Sequence, residues 1–296
     1  MTNSDLHWDI IGDVHGQLPL LLQLLKELGY EALGDHWRHS QCQAVFVGDV
    51  LDSGPQMGAT LQLIQRMVQA GAARMVVGNH ELELLAFLYR RGFTELAEAD
   101  PEAVLECLLK SLVSDYIRLA SDLSDQPEVL WQLLCWLQQQ PLWIDEPELK
   151  VVHACWDTTA LQTLQKAGVA SLKPRVLQAW LAKEEPVYSA LELLVCGCQQ
   201  LDARRQKIRW WPDALADYAQ LNLAEKQAPA ALSSSSEPVF FGHYSLSYRS
   251  ELTVISDWQV CTDFGAACGG PLVAYRHRRQ QPINNRHFHG VFLPCC

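Results

Sequence analysis

A layered α/β fold carrying a helical insertion is the expectation for this chain of 296 residues. Three observations support it. Over the first ninety or so positions, short apolar runs alternate with helical periodicity in the order strand, helix, strand, helix, strand. The runs Ala44 to Val47 and Met75 to Val77 are continuously apolar, which suits strands covered by helices on both faces. A hydrophobic content of 49% over this length supplies a full core. One domain spanning 1–296 with an insertion is preferred to two smaller domains.

The elements follow in chain order. HWDIIG reads as a strand, QLPLLLQLLKELGY as a helix, QAVFVG as a strand, MGATLQLIQRMVQAG as a helix and ARMVVG as the third strand. From about 83 to 140 the pattern is helical throughout, an insertion or cap whose segments ADPE and SDQPE set Asp or Ser near Pro as helix starts. Its Trp131, Trp136 and Leu stripe read as packing. PLWIDEPELKVVHA predicts a strand pair with Pro147 in the turn, and about 157–222 is a second, mostly helical region. ALSSSSEP, Ala231 to Pro238, reads as a loop or linker. VFFGHY, LTVIS, QVCTDF and PLVAYRH then predict strands of a second sheet.

Composition narrows the function classes. A formal net charge of −11 opposes binding to nucleic-acid polymers and acidic membranes. The start MTNSDLHWDI lacks the basic and apolar regions of a secretory leader, and no apolar stretch is long enough to span a bilayer. A cytoplasmic location is the expectation. Ten cysteines scattered through such a chain read as reduced thiols, and neither Cys196 with Cys198 nor Cys295 with Cys296 has the spacing of a zinc knuckle.

Chemistry is concentrated directly after the strands, where open α/β sheets bind ligands. Asp13 and His15, Asp49 and Asp52, Asn79 and His80, His153, and His243 all stand there. Carboxylate, imidazole and amide oxygen are ligands for divalent manganese, iron or zinc. A lone GDVHG would suit a Gly-rich turn with a capping Asp, but five such clusters in series argue for a metal centre.

GDVHG, GDVLDSGP, GNHE, the HA of VVHAC and the GH of FFGHY resemble the five blocks of the calcineurin-like metallophosphoesterase superfamily. They are closest to its phosphoprotein-phosphatase and symmetrical dinucleoside-tetraphosphatase branch, and TDFGAACGG resembles that branch's last block. The resemblance implies a four-layer sandwich, two β-sheets flanked by helices, with a two-metal centre. It makes Asp13, His15 and Asp49 ligands of one metal and Asp49, Asn79, His153 and His243 ligands of the second, with Asp49 bridging. Manganese is the first expectation, iron or zinc the alternatives. Such a centre attacks phosphorus with metal-bound hydroxide and no phosphoenzyme. It implies His80 as general acid with Asp52 as its partner; a structural His80, a third-metal His80 and a turn-capping Asp52 are the alternatives.

The pattern departs in two places. Ser53 stands where the family usually has Arg, and Val77 where phosphoprotein phosphatases carry another. Asn79 and Ser53 are then the candidate substrate-binding residues, Ser53 with one neutral donor in place of a guanidinium fork. Arg90, Arg91 and Arg249 are candidate replacements, each with an ordinary surface role as the alternative. Ser245 occupies the place of a third His after GH, and His287 with His289 would share a face if RHFHG is a strand. The leading function is metal-dependent hydrolysis of phosphomonoesters on a small molecule, nucleotide or phosphoprotein. A dinucleoside polyphosphate hydrolase is the alternative, and a non-catalytic phosphate- or partner-binding module the second.

Overall fold

A computed structural model describes residues 7–199, 207–208, 210–211, 237–248 and 251–292. The strands are β1 His7–Ile11, β2 Glu31–Leu33, β3 His36–Arg38, β4 Cys42–Phe46, β5 Ala73–Met75, β6 Trp143–Glu146, β7 Leu149–Val152, β8 Cys198–Gln199, β9 Lys207–Ile208, β10 Val239–Phe241, β11 Gln259–Cys261, β12 Leu272–His277 and β13 Phe288–Val291. The helices are α1 Leu18–Glu27, α2 Met57–Gln69, α3 Asn79–Arg90, α4 Pro101–Leu109, α5 Ser114–Asp122, α6 Pro127–Leu137, α7 Thr158–Lys166, α8 Pro174–Leu181 and α9 Val187–Cys196.

Two sheets form the centre. The first has the order β13-β12-β1-β4-β5, the second β11-β10-β7-β6. β1, β4 and β5 run parallel, as do β7, β10 and β11. The period-2 alternation of side chains divides each strand between two cores. Trp8 and Ile10 of β1, Val45 of β4, Val151 of β7, Phe240 of β10 and Val260 of β11 meet in a cluster between the sheets. Ile11, Phe46, Val152 and Phe241 point the other way, into a core shared with α1, α2, α3 and the later helices. Each fully buried Val, Ile or Phe in these layers contributes about 1.5–3 kcal/mol. This is the four-layer sandwich, with the helical insertion α4 to α6 packed on it through Leu105, Leu108, Leu130 and Leu134. No described helix is long and apolar enough to cross a membrane.

Helix starts follow the local chemistry. Asp100 caps α4 by accepting from Glu102 N at 3.3 Å, ahead of Pro101 in the first turn. Pro127 opens α6, and Asp157 caps α7 by accepting from Ala160 N at 2.8 Å. Trp131 and Trp136 pack against the helix-facing core, and Trp131 Nε1 donates to Leu96 O at 2.8 Å. Pro147 lies in the turn between the antiparallel β6 and β7.

Several expectations are corrected. PLVAYRH forms β12, but in the first sheet: it returns antiparallel beside β1, pairing Trp8 with His277 and Asp9 with Arg276. LTVIS forms no strand; its segment contributes only a bridge from Ser256 to Gln259. In the second helical region the described helices are α7 to α9, and after α9 Cys198–Gln199 pairs with Lys207–Ile208 in a short antiparallel ribbon. Most of the rest of that region, Arg249 and most of ALSSSSEP lie outside the described residues. The hairpin β2-β3 was not expected from periodicity. His287 falls in a 3-10 turn ahead of β13, so it does not share a strand face with His289.

His277 carries a consequence for stability. It stacks on Trp8 with ring centroids 5.7 Å apart, and its Nε2 donates to Glu148 O at 2.8 Å. Burial pushes its pKa down to about 4. The unfolded chain therefore binds a proton here between about pH 6.5 and 4 that the folded chain does not, and stability falls as pH falls through that window. The loss should approach about 3 kcal/mol at the acid end. Urea midpoints from pH 7 to 4.5 should show this slope, and His277→Gln, which cannot titrate, should flatten it. An unchanged slope in the variant would assign the acid sensitivity elsewhere.

Candidate active site

The carboxyl ends of β1, β4, β5, β7 and β10 deliver the polar motifs to one place. His153 Nε2 lies 3.2 Å from Asp49 Oδ2 and 3.2 Å from Asn79 Oδ1, and His243 Nδ1 lies 2.9 Å from the same amide oxygen. Asp13 Oδ2 accepts from His243 N at 2.9 Å. Among the described residues, two groupings hold potential ligand atoms within 4.8 Å of one another: His15, Asp49 and His80, and Asp49, His153 and His243. They share Asp49. The first contains His80 rather than Asp13, which stands beside it within electrostatic reach of Asp49.

The imidazoles are aimed by backbone carbonyls. His15 Nδ1 is 2.9 Å from Leu51 O and His153 Nδ1 is 2.9 Å from Val47 O, which turns each Nε2 toward the cluster. Among the described residues, Asp13 Oδ1 and His243 Nε2 are buried without a hydrogen-bond partner. Orphaned buried acceptors of this kind call for a cation or another ligand. Burial, with Asp263 and Asp49 nearby, pushes the Asp13 carboxyl well above its ordinary range. Burial, with His153 and Lys207 nearby, holds His243 well below its own, in the neutral form that binds metals.

The local backbone is built for this convergence. His15, Asp49, Asp52, Ser53, His243 and Ser245 all have positive φ, a conformation costing non-glycine residues about 1–2 kcal/mol each and characteristic of functional loops. The motif glycines leave room for the carboxylates. A Cβ on Gly242 would lie 1.9 Å from Asp13 Oδ1, and one on Gly78 would lie 2.2 Å from Asp49 Oδ1.

His80 sits between two carboxylates. Its Nδ1 is 3.1 Å from Asp52 Oδ2, its Nε2 is 3.8 Å from Asp49 Oδ2, and its backbone N donates to Asp49 Oδ1 at 3.1 Å. Burial opposes the imidazolium, but Asp49 and Asp52 outweigh it and raise the pKa above the ordinary value. Asp52 in turn hydrogen-bonds Asp115 of α5; burial and Asp52 push Asp115 up, and that bond and His80 bring Asp52 down against its own burial. Ser53 is exposed; its N donates to Asp52 Oδ1 at 2.6 Å. Arg91 lies over the Phe87 ring at 5.1 Å, and Arg90 ends α3; neither bonds to the cluster.

Some participants escaped the sequence reading. Glu81, fully buried, accepts from Gly78 N at 2.8 Å, Asp49 N and Val50 N at 3.0 Å each and Leu51 N at 3.2 Å, so one carboxylate ties the two loops together. Its place three residues after Gly78 is the spacing of a helix-start acid, and that signal was readable. Asp263 accepts from Ser245 Oγ at 2.9 Å, which explains why Ser245 faces away from a ligand role; it follows β11 as the other acids follow their strands. Lys207 Nζ donates to His243 O and Arg118 Nη1 to Ser53 O, the latter at 2.7 Å; no periodicity marks either residue.

The family model for calcineurin-like phosphoesterase matches residues 8–156, half of the chain and the stretch that carries Asp13 through His153. The chain belongs to that family. Among curated relatives of this calcineurin-like phosphoesterase, the asymmetrical bis(5'-nucleosyl)-tetraphosphatase PrpE of Halalkalibacterium halodurans is 30% identical over 50% of this chain and 55% of its own length. A symmetrical bis(5'-nucleosyl)-tetraphosphatase of Marinomonas sp. is 32% identical over 55% of this chain and 51% of its own. The chain thus spans about half the length of these relatives. A protein serine/threonine phosphatase structure from Saccharomyces cerevisiae shares the fold, with a TM-score of 0.52 over 100% of this chain and 82% of that one at 11% identity.

Proposed function

We propose that this chain is a dinuclear-metal phosphoesterase that hydrolyses phosphomonoesters by direct attack of water on phosphorus. The observation that carries the reading is the double grouping around Asp49, with Asp13 Oδ1 and His243 Nε2 buried and unpartnered beside it. That donor set fits divalent cations. Asp13, His15 and Asp49 would hold one, and Asp49, Asn79, His153 and His243 the other, manganese first with iron or zinc acceptable to the same donors. Bound there, the ions would supply positive charge for the phosphate oxygens and lower the pKa of water.

The remaining work falls to the chain's own groups. His80, whose imidazolium form Asp49 and Asp52 favour, donates its proton to the leaving oxygen. Asp52 orients the ring through Nδ1, and Asp115 holds Asp52. Asn79, whose Oδ1 faces His153 and His243, would offer its amide N–H to a phosphate oxygen. The reading takes 1–296 as one domain working in the cytoplasm on a phosphorylated small molecule, nucleotide or phosphoprotein. Ten cysteines scattered through the chain fit the setting, and the net charge of −11 disfavours polymeric nucleic acid.

Manganese-loaded protein should hydrolyse a chromogenic aryl phosphate and lose that activity on chelation. Full turnover without any metal would overturn the mechanism. A chain that binds no metal and turns over no phosphate ester would be a binding module instead. The names of the curated relatives favour a second reading, hydrolysis of a dinucleoside polyphosphate. Products separate the two: orthophosphate from monoesters supports the first, and nucleotides released from a dinucleoside tetraphosphate support the second. Two nucleoside diphosphates would mark symmetrical cleavage.

A further inference from the structure

A metal-dependent phosphoesterase needs directed donors for its dianionic substrate, and the catalytic turn of this chain is crowded with acids. Asp49, Asp52, Glu81 and Glu83 all act electrostatically on His80, and Asp115 hydrogen-bonds Asp52. Ser53, where the sequence pattern leads one to expect a guanidinium, offers a hydroxyl. One guanidinium nevertheless reaches this turn. Arg118, on α5, donates from Nη1 to Ser53 O at 2.7 Å.

The way α5 meets the turn gives this contact its meaning. Asp115 and Arg118 are one helical turn apart and straddle adjacent residues: Asp115 touches the Asp52 carboxylate and Arg118 the Ser53 carbonyl. Arg118 is held from two sides, because Asp115 Oδ1 lies 3.6 Å from its Nη1, an ion pair too long for a hydrogen bond. Its side chain is 41% exposed, and the Ser53 bond occupies one of several N–H groups. A guanidinium anchored at one nitrogen and, among the described residues, open at the others, at the residue next to Asp52 in the chain, is set to receive two oxygens of a phosphate.

We propose that Arg118, supplied by the helical insertion, is the phosphate-gripping residue of this site in place of an arginine at position 53. The inference rests on the phosphoesterase reading. It also gives the insertion a part in substrate binding, since α5 contributes to this turn from the cap rather than from the sheet.

The test uses the manganese-loaded full chain, an aryl phosphate as substrate and inorganic phosphate as an inhibitor and a calorimetric ligand. Arg118→Ala should raise both KM and the phosphate inhibition constant by about tenfold or more, the loss of a charge-assisted pair, with kcat changed far less and manganese stoichiometry unchanged. Arg118→Lys should fall between, since a point charge keeps attraction but not the fork. S53R placed in the R118A background should recover phosphate affinity. Unchanged KM and phosphate inhibition in R118A, with the wild type active, overturns the assignment alone. So does a loss confined to K207A, which would place the grip at His243. Loss of manganese and kcat together in both Arg118 variants would make the residue structural and also overturn it. A manganese-loaded wild type that neither hydrolyses ester nor binds phosphate sinks the functional reading and this inference with it.

Discussion

Asp49→Asn should abolish turnover, with kcat down by about a thousandfold or more and at least one of two metal ions lost from the protein. The substitution is chosen because it changes charge and little else. Asn can keep an oxygen at the Oδ1 position, which accepts from His80 N at 3.1 Å, and its shape fits the space that Gly78 leaves. What it removes is the one anionic group common to both ligand groupings. Two dications about 4 Å apart repel by on the order of 15 kcal/mol at an effective dielectric near 20, so a neutral bridge cannot hold the pair. Metal-free folding should respond in the same direction. His153 and His80 hold the Asp49 carboxylate well below its ordinary range against its burial, so metal-free Asp49→Asn should melt lower than metal-free wild type, because the charge those imidazoles face is gone. Metal content by mass spectrometry, melting of the metal-free forms and ester turnover check the three parts. An Asn variant that keeps both metals and normal turnover would remove Asp49 from the bridging position.

The extent to which this site was legible in the sequence has a physical basis. Each predicted ligand follows a short apolar strand, and all but His153 neighbour a glycine; the structure explains that grammar, since Gly78 and Gly242 are places where a Cβ would collide with Asp49 and Asp13. Strand ends and steric necessity are local, so a single chain displays them. Sheet membership is not local. PLVAYRH has the same apolar profile whether it continues the second sheet or, as it does, returns antiparallel to β1, with Arg276 bonding Asp9 at 2.7 Å and 2.9 Å across the register. LTVIS shows that apolar alternation without a pairing partner does not make a strand. The cations were least legible. Arg90 and Arg91 stand close to GNHE in the chain yet do not bond to the cluster, whereas Arg118 and Lys207 reach it from 65 and 36 positions away from the residues they touch.

His80→Asn tests the other half of the chemistry, and its expected signature depends on the leaving group. For an alkyl phosphate, whose departing alkoxide needs a proton, kcat should fall by about 10² to 10⁴. For an aryl phosphate bearing electron-withdrawing groups, the departing phenolate is stable without one, and the loss should shrink to about tenfold or less. The geometry demands this asymmetry only if His80 is the acid: Nδ1 is engaged by Asp52 at 3.1 Å, leaving Nε2, 3.8 Å from Asp49 Oδ2 and partly exposed, as the nitrogen able to deliver a proton. The pH profile supplies a second reading. Asp49 and Asp52 raise the His80 pKa against its burial, and the rate should fall as pH rises through the shifted value, where the proton-donating form is lost. That basic limb should vanish in His80→Asn. It should move to lower pH in Asp52→Asn, where one of the two charges holding the proton is gone. Equal losses for both leaving groups, with the basic limb intact, would instead make His80 a ligand or packing residue, and its place in the grouping with His15 and Asp49 would then be its whole role.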